Sequence, residues 1–563
     1  MVKKSTTALL LMCITFFQYS CKNEPSKDYQ EAKDAGFVYL EENQFMVNDT
    51  VFFPMLINYL VEFMSVEGEM IPVANIQYDS TTYHEGTTKV DYLTRLNTHF
   101  KYIKHLGFNT IRLVGLTGKE FAKDGNHLIK TYRPDGSFDL KPYPTIKQEY
   151  ERAVVKIMEL AKQNQLKVMI LLPTPRLNEK ENLARLSFIK DILSLFKTDN
   201  TVFSYDFFNE PLYFDNSESD DYKVRQRSKE SAFELVNSWV KLMESIAPNQ
   251  LSTIGFGEPI EVFEWDPSTF PLDFISFHTY HPLRVPNEIY WWSKYSNKPW
   301  MITETSLPAD NDSISYLEQR QFMYEAYRRT INCGGSGFGW WQYQDVNWGT
   351  NFEHNNTSLL NHEGITYFND STDIIYGSPK AAALAVNELS SIKVTGKCDC
   401  FPNYSNMLGY QNIRITGKLI DGLSGEPIEG AVIRGWTNYW NIAANTFSDE
   451  NGNFELYSND EFIHFEISAM GYSKIKFDQR IRYNNREKNG SMFAALTNLS
   501  LEYHNIHYQP FLKQPVSDSL FSSDGMRDSS IVFDFDPELF GQYQFSGTMG
   551  IKMLLPLDFT DHE

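Results

Sequence analysis

The sequence predicts an α/β protein: a (β/α)8 barrel of the TIM type, followed by a small all-β sandwich and a β-rich C-terminal extension. Three observations carry this prediction. Apolar runs of strand length alternate with stretches of helical spacing across residues 40–395; eight such runs can be counted; and beyond residue 411 the pattern changes to short alternating runs bounded by turn residues. Eight strand–helix units suit a closed barrel. A doubly wound open sheet would alternate too, but the Gly-x-Gly-x-x-Gly turn of its nucleotide-binding form is missing after the first strand. With 563 residues, 42% of them hydrophobic and 22% charged, the chain has apolar material for more than one packed core.

Taken in order, residues 1–20 read as a signal peptide. Lys3 and Lys4 precede the apolar run Ala8 to Phe17, which is too short to span a bilayer. Gln18-Tyr19-Ser20-Cys21 resembles the end of a bacterial lipoprotein signal, which implies lipidation of Cys21 and an exported protein held at the outer membrane, in the periplasm or on the cell surface. Ordinary cleavage near Ser20 is the alternative. Residues 21–39 are polar and read as a tether. No other apolar run reaches ~20 residues, so a lipid would be the only membrane attachment.

The barrel strands are expected at Val51 to Ile57, Thr110 to Val114, Lys167 to Leu172, Val202 to Phe208, Leu251 to Phe256, Asp273 to Phe277, Trp300 to Thr303 and Gly337 to Tyr343. The first is the least regular, because Pro54 cannot donate to a ladder. Helical spacing marks Tyr92 to Leu106, Glu149 to Gln163, Ser231 to Ser245 and Tyr316 to Ile331.

Barrel chemistry sits where strands end. The fourth strand runs into Asn209-Glu210-Pro211 and the seventh into Glu304, and three units of ~31 residues separate the two glutamates, in agreement with strands four and seven. Carboxylates at these two ends can face each other across the mouth, the arrangement that glycoside hydrolysis requires. With His278-Thr279-Tyr280 after the sixth strand and Arg112 on the second, residues 40–390 resemble glycoside hydrolase family 5 and its clan of retaining β-glycosidases. The resemblance implies that Glu210 is the general acid/base and Glu304 the nucleophile. It further implies that Arg112 and Tyr280 support the nucleophile, that Asn209 holds the sugar 2-hydroxyl and that His278 helps to hold the reacting sugar. The acid has to keep its proton near neutral pH, and the nucleophile has to be ionised. Trp341-Gln342-Tyr343 resembles a segment of the β-mannanases of this family, which implies Trp341 as the platform under the sugar.

Each of these residues has a plainer reading. Arg112 could form an ion pair in the barrel floor, His278 and Tyr280 could fill the core, and Asp206 reads as a structural acceptor. Glu258 after the fifth strand is the rival acid. Trp291, Trp292 and Trp348 read as core residues with sugar platforms as the alternative. The links between the first three strands are long, and Tyr78, Tyr83, His84, Tyr132 and Tyr143 within them could wall one end of a groove.

Lys+Arg 51 against Asp+Glu 72 gives a net charge of −21, which repels phosphate backbones and excludes a general route to nucleic acid, whereas an uncharged carbohydrate partner fits. No motif calls for a metal or an organic cofactor. Cys398-Asp399-Cys400, in a linker over 396–411, reads as a short bridge or as free thiols. Residues 412–480 resemble the carboxypeptidase-regulatory-like β-sandwich, on the runs Ile415 to Leu419, Gly425 to Val432, Ser448 to Phe454 and Gly471-Tyr472. This module reads as a spacer or docking unit, with glycan binding by Trp436, Tyr439 and Trp440 as the alternative. Asp449 to Gly452 reads as a hairpin turn rather than a calcium loop. Residues 481–563 are β-rich with no assigned role. The expected protein is a retaining β-glycosidase acting on β-linked glycan of mannan or glucan type. A surface glycan-binding lipoprotein without turnover, or a transglycosylase on the same residues, is the alternative; oligomeric state stays open.

Overall fold

A computed structural model describes residues 29–507 apart from 76–87, 118–121, 174–178, 216–226, 347–355, 370–372, 401–409, 411–412, 422–423, 438–442, 461, 479–488, 497–499 and 503–504. Tyr78, Tyr83, His84, Trp348, Tyr439, Trp440, the expected signal with Cys21, and residues 508–563 lie outside the described residues.

Eight parallel strands form a closed barrel: β1 (Met55–Val66), β2 (Thr110–Val114), β3 (Lys167–Leu171), β4 (Val202–Asn209), β5 (Leu251–Phe256), β6 (Ile275–His278), β7 (Trp300–Glu304) and β8 (Phe338–Trp340). Each pairs with the next, and β8 returns to β1 through Phe338↔Met55, Gly339↔Leu56 and Trp340↔Ile57. Closure demands close approach at β8. A Cβ on Gly339 would lie 2.5 Å from the carbonyl oxygen of Thr303, so no larger residue fits there.

Helices α1 (Lys89–His105), α2 (Tyr143–Gln163), α3 (Glu179–Phe196), α4 (Lys229–Ile246), α5 (Val285–Tyr295), α6 (Tyr316–Asn332) and α7 (Ala381–Leu389) accompany the strands. Capping boxes start α1 at Thr88 with Asp91 and α6 at Ser315 with Glu318, satisfying end N–H groups that would otherwise lack partners. No helix among the described residues is long and apolar enough to cross a membrane.

The first strand begins later than expected. Pro54 ends the ladder, and Thr50–Val51 instead pairs with Gln44–Val47, which pairs with Tyr39–Glu41, in a small antiparallel sheet. That sheet plugs the bottom of the barrel: Phe45 meets Phe203 and Phe274 edge-on at ring distances of 5.1 and 5.0 Å. The second half of the expected tether is therefore folded. Gln30–Asp34 is helical, and the Tyr29 hydroxyl donates to Asp273 Oδ1 at 2.9 Å.

The long early links hold added strands. β1 overshoots the barrel and pairs with Glu69–Ala74 and with Leu128–Tyr132, which in turn pairs with Phe138–Pro142. Tyr132 and Tyr143, offered as groove walls, are buried in the core instead; the Tyr143 ring packs against Tyr150 and Phe188. The cysteine expectation is also corrected. Cys398 is bonded to Cys333 at the end of α6, 65 residues away, and Cys400 is the free thiol. In the chain-entropy account, closing a loop of that length contributes about 4 kcal/mol.

Beyond the linker two sheets face each other, Asn453–Ser458, Ile413–Asp421 and Asn489–Leu496 in one and Ala443–Phe447, Val432–Trp436, His464–Ser468 and Ile475–Asp478 in the other. Ile413, Ile415, Leu419, Ile433, Leu456 and Ile467 fill the space between them. Asn489–Leu496 pairs parallel to Ile413–Asp421, so the sandwich continues past residue 480. Asp449 to Gly452 is a turn, with Asp449 Oδ1 accepting from the Asn451 and Asn453 amides, but it joins strands of different sheets rather than a hairpin. Trp436 is buried against His464 and offers no free ring face to a glycan.

Candidate active site

A break in strand alternation builds the site. Strict alternation would point Asp206 and Phe208 inward and Phe207 and Asn209 outward. The register of β4 on β5 shifts between Asp206 and Asn209 instead, so Phe207 and Phe208 both face outward onto Trp239 of α4, and Asn209 returns to the barrel interior. Glu210 follows in the left-handed region with φ 44° and ψ 71°. A non-glycine residue there costs about 1 kcal/mol or more, a strain that recurs at functional sites. It is held by its amide donating to the Gly255 carbonyl at 2.7 Å and its carbonyl accepting from Tyr213 and Phe214 at 2.9 and 3.0 Å.

The fully buried Arg112 is the hub. Its Nε donates to Asp206 Oδ2 at 2.9 Å, one terminal nitrogen to Asn58 Oδ1 at 3.0 Å and to Glu304 Oε1, and the other to Asn209 Oδ1 at 2.8 Å. Burial alone would lower its pKa, but the charges of Asp206 and Glu304 outweigh that and hold it above its ordinary value. Arg112 is thus a buried ion pair, as its plainer reading has it, and one partner is a strand-end glutamate at the mouth. Asp206 is the structural acceptor expected, taking the Gly255 amide at 2.9 Å as well.

Glu304 receives a second donor. The Tyr280 hydroxyl donates to Oε2, and burial followed by the charges of Glu304 and Glu210 pushes the Tyr280 pKa well up, so the phenol stays a donor. His278 sits between the two glutamates: Nδ1 is 2.8 Å from Glu210 Oε1 and 3.5 Å from Glu304 Oε2. Burial lowers its pKa to about 4, so the ring is neutral near neutral pH. A Cβ on Gly255 would lie 2.8 Å from His278 Nε2, which explains glycine there. One oxygen of Glu210, one of Glu304 and a nitrogen of His278 all lie within 4.8 Å of one another. Among the described residues these are the one trio of His, Cys, Asp or Glu close enough to gather round a cation, and both Glu304 oxygens already accept hydrogen bonds, one from Arg112 and one from Tyr280.

Burial distinguishes floor from rim. Arg112, His278 and Glu304 are buried, whereas Asn209, Glu210, Tyr280 and Trp341 are partly exposed. β8 ends at Trp340, short of the expected Tyr343; Trp340 packs outward against Phe322 of α6 and its indole donates to the Thr357 carbonyl, and Trp341, just past the strand, is half-buried. Trp291 and Trp292 are wholly buried in α5, and Trp292 stacks on Phe277, so neither is a sugar platform. The rival Glu258 is paired with Arg284 and accepts from the Tyr213 hydroxyl at 2.8 Å.

Sequence reasoning missed Asn58. Its amide donates to the Thr303 and Trp340 carbonyls at 2.8 and 3.1 Å, pinning the seam between β1, β7 and β8 while its oxygen holds Arg112. The available signal was a lone polar residue within the apolar run Met55 to Leu60.

Burial also fixes an acid limit. His278 and His281 are pushed down to about 4, and His99 and His127 to about 3. All four values lie below the unfolded value of about 6.5, so the unfolded chain binds more protons between these limits. The stability from burying neutral rings is complete above pH ~6.5 and is lost progressively as pH falls toward 4. Thermal melts are expected to show Tm falling from pH 6.5 downward, with the His278 ring carbons keeping neutral NMR shifts to about pH 5; a charged His278 at pH 6 would contradict this.

No protein-family model matches the sequence, and no curated protein does. Solved structures are similar in the course of the chain. Exo-β-1,4-mannosidase Op5Man5 from Opitutaceae bacterium strain TAV5 aligns at 12% identity over 63% of this chain and 62% of its own, less than two thirds of its length, with a TM-score of 0.42. A GH5_18 protein from Streptomyces cattleya in complex with GlcNAc aligns at 12% identity over 67% of this chain and 86% of its own, with a TM-score of 0.44. β-Glucosidase 1317 aligns at 12% identity over 61% and 100%, with a TM-score of 0.41. The class that fold and site define is a (β/α)8 barrel with two opposed carboxylates at its mouth.

Proposed function

We propose that this protein is a retaining β-glycosidase. The observation that carries the reading is the approach of Glu210 and Glu304 oxygens to within 4.8 Å. Double displacement uses carboxyl groups about 5–5.5 Å apart, whereas inversion needs roughly 6.5–9.5 Å to admit a water between acid and base.

In the first step a Glu304 oxygen attacks the anomeric carbon while Glu210 gives its proton to the departing oxygen, forming a glycosyl ester. In the second, Glu210 takes a proton from water, the water oxygen bonds to the anomeric carbon and Glu304 departs. Arg112 and Tyr280 supply two donors to the nucleophile, fixing its carboxylate plane. Neutral His278 suits both states of Glu210: the Nδ1 lone pair accepts from a carboxyl O–H, and in the other tautomer Nδ1–H donates to a carboxylate. Asn209, oriented by Arg112, is available to the 2-hydroxyl. Trp341 supports a platform role by its partial exposure. The net charge of −21 favours neutral glycans, and the Trp341-Gln342-Tyr343 segment favours a β-mannan or β-glucan.

The test is a screen on mannan, glucan, xylan and galactan with product anomers followed by NMR. The retained anomer is expected first; the inverted anomer first, or no hydrolysis, overturns the reading. Oligosaccharides longer than the substrate would mark transglycosylation by the same residues, and binding without turnover would mark a glycan-binding protein.

The chain is further read as an exported bacterial lipoprotein. Cys21→Ser should move the protein from the membrane to the soluble fraction in cells; unchanged partition removes the anchor.

A further inference from the structure

We propose that the C-terminal β-sandwich belongs to the catalytic scaffold, bracing Glu261 and Glu288 as positioning residues for Glu210 and for the His278 to Tyr280 segment. The inference rests on the glycosidase reading and extends it to two carboxylates that hold the loops leaving β4, β5 and β6.

Glu261 is buried on the short turn Pro259–Phe263 after β5. Its Oε1 accepts from the amides of Leu212 and Gly257, both at 3.0 Å. Leu212 stands two residues beyond Glu210, so this carboxylate ties the loop leaving β4 to the loop leaving β5, just where Glu210 holds its unfavourable left-handed backbone. Glu288, on α5, does the same one strand on. Its Oε2 accepts from the Thr279 hydroxyl at 2.5 Å, and its Oε1 from Arg284 Nε at 2.9 Å. Thr279 lies between His278 and Tyr280. With its side chain held outward, alternation sends both neighbours into the barrel, toward Glu210 and Glu304.

The sandwich packs on both supports. Pro259, Arg284 and Glu288 face Val432, Thr446 and Phe447 across one narrow cleft. The Trp291 indole donates to the Gly430 carbonyl at 2.9 Å, and Tyr290 lies parallel to Phe447. Lys229, almost wholly buried, joins the two units by donating to Asp266 Oδ2 at 2.9 Å and to the Ala469 carbonyl at 3.0 Å, while the Gly471 amide donates to the same Asp266 oxygen at 2.7 Å. Lys474 of the sandwich reaches Glu264 at 3.2 Å, beside the turn that carries Glu261. The Lys229–Asp266 pair is completed by a carbonyl and an amide of the sandwich, so a slip of the joint that keeps it dry would leave a buried charge short of a partner, and the contact therefore favours one geometry. A flexible spacer needs no such joint.

The experiment uses the full chain. Thr279→Val removes the hydroxyl at constant shape, Thr279→Ser keeps it, and Phe447→Asp opens the sandwich contact, checked by hydrogen exchange at 432–436. Because a displacement of ~1 Å costs about 100-fold and partial loosening less, Thr279→Val and Phe447→Asp are each expected to lower kcat about tenfold on a poor leaving group at unchanged KM. The double variant should fall no further, and Thr279→Ser should stay near wild type. The His278 ring ¹⁵N resonances, which need no substrate, should shift the same way in both impaired variants. Wild-type kcat and His278 resonances in an undocked Phe447→Asp protein, or losses that multiply, would overturn the proposal. If Phe447→Asp does not fold, Phe447→Ala replaces it, with rates normalised to sites trapped by a fluoroglycoside. Should wild type hydrolyse no glycoside, the glycosidase reading fails and the His278 resonances alone decide the bracing.

Discussion

Glu304→Gln is expected to lower kcat/KM on an activated aryl β-glycoside by on the order of 10⁴–10⁶ while leaving the fold intact. Two losses coincide. The amide cannot form the glycosyl ester, and it offers one acceptor atom where Arg112 and Tyr280 each require one, so a donor is left facing an N–H. The buried Arg112 charge is then balanced by Asp206 alone. The smaller Glu304→Ala variant separates the two. Azide can enter the vacated space and attack the anomeric carbon from the nucleophile's side, so azide should restore turnover of the activated substrate and yield the α-glycosyl azide. Wild-type turnover in Glu304→Gln, or a β-azide product in Glu304→Ala, would remove Glu304 from the mechanism.

The two carboxylates were legible because a barrel mouth is written at strand ends: Asn209-Glu210-Pro211 and Thr303-Glu304 each close an apolar run with a charge. What the sequence hid has a common cause, contact between distant residues. Asn209 reaches Arg112 through a register shift in β4, and alternation alone would have turned it outward. Asn58 matters for the seam it closes with β7 and β8, over two hundred residues away. Local spacing sets Cys398 beside its neighbour Cys400, and the return of the chain past α6 to Cys333 leaves no trace in it. Tyr132, Tyr143, Trp291 and Trp292 are aromatic residues that a sugar face or a core would use equally, and only packing tells the two apart. Glu261 and Glu288 carry no motif, since their targets are a backbone amide and a threonine hydroxyl set by the fold.

Glu210→Gln should divide substrates by their leaving groups. General acid catalysis supplies about 10²–10⁴, and a departing alkoxide or sugar oxygen needs all of it, whereas a dinitrophenolate leaves almost unaided. On an alkyl β-glycoside or an oligosaccharide the variant should therefore lose activity across that range. On the dinitrophenyl glycoside the first step should stay fast and the second become limiting, because the amide cannot take a proton from water. A burst of dinitrophenolate equal to the enzyme concentration is the expected record, followed by a slow steady state that azide, an anion needing no base, accelerates to give the β-glycosyl azide. The opposite azide anomers from the Glu210 and Glu304 variants would assign the two faces of the sugar to the two carboxylates independently of any rate. The pH profile adds a sign. The amide that replaces the Glu210 carboxyl group does not ionise, so the alkaline limb of the kcat/KM profile, which reports loss of the acid proton, should disappear in the variant. Equal losses on good and poor leaving groups, with the alkaline limb retained, would mean that the proton comes from elsewhere and that Glu210 only shapes the pocket.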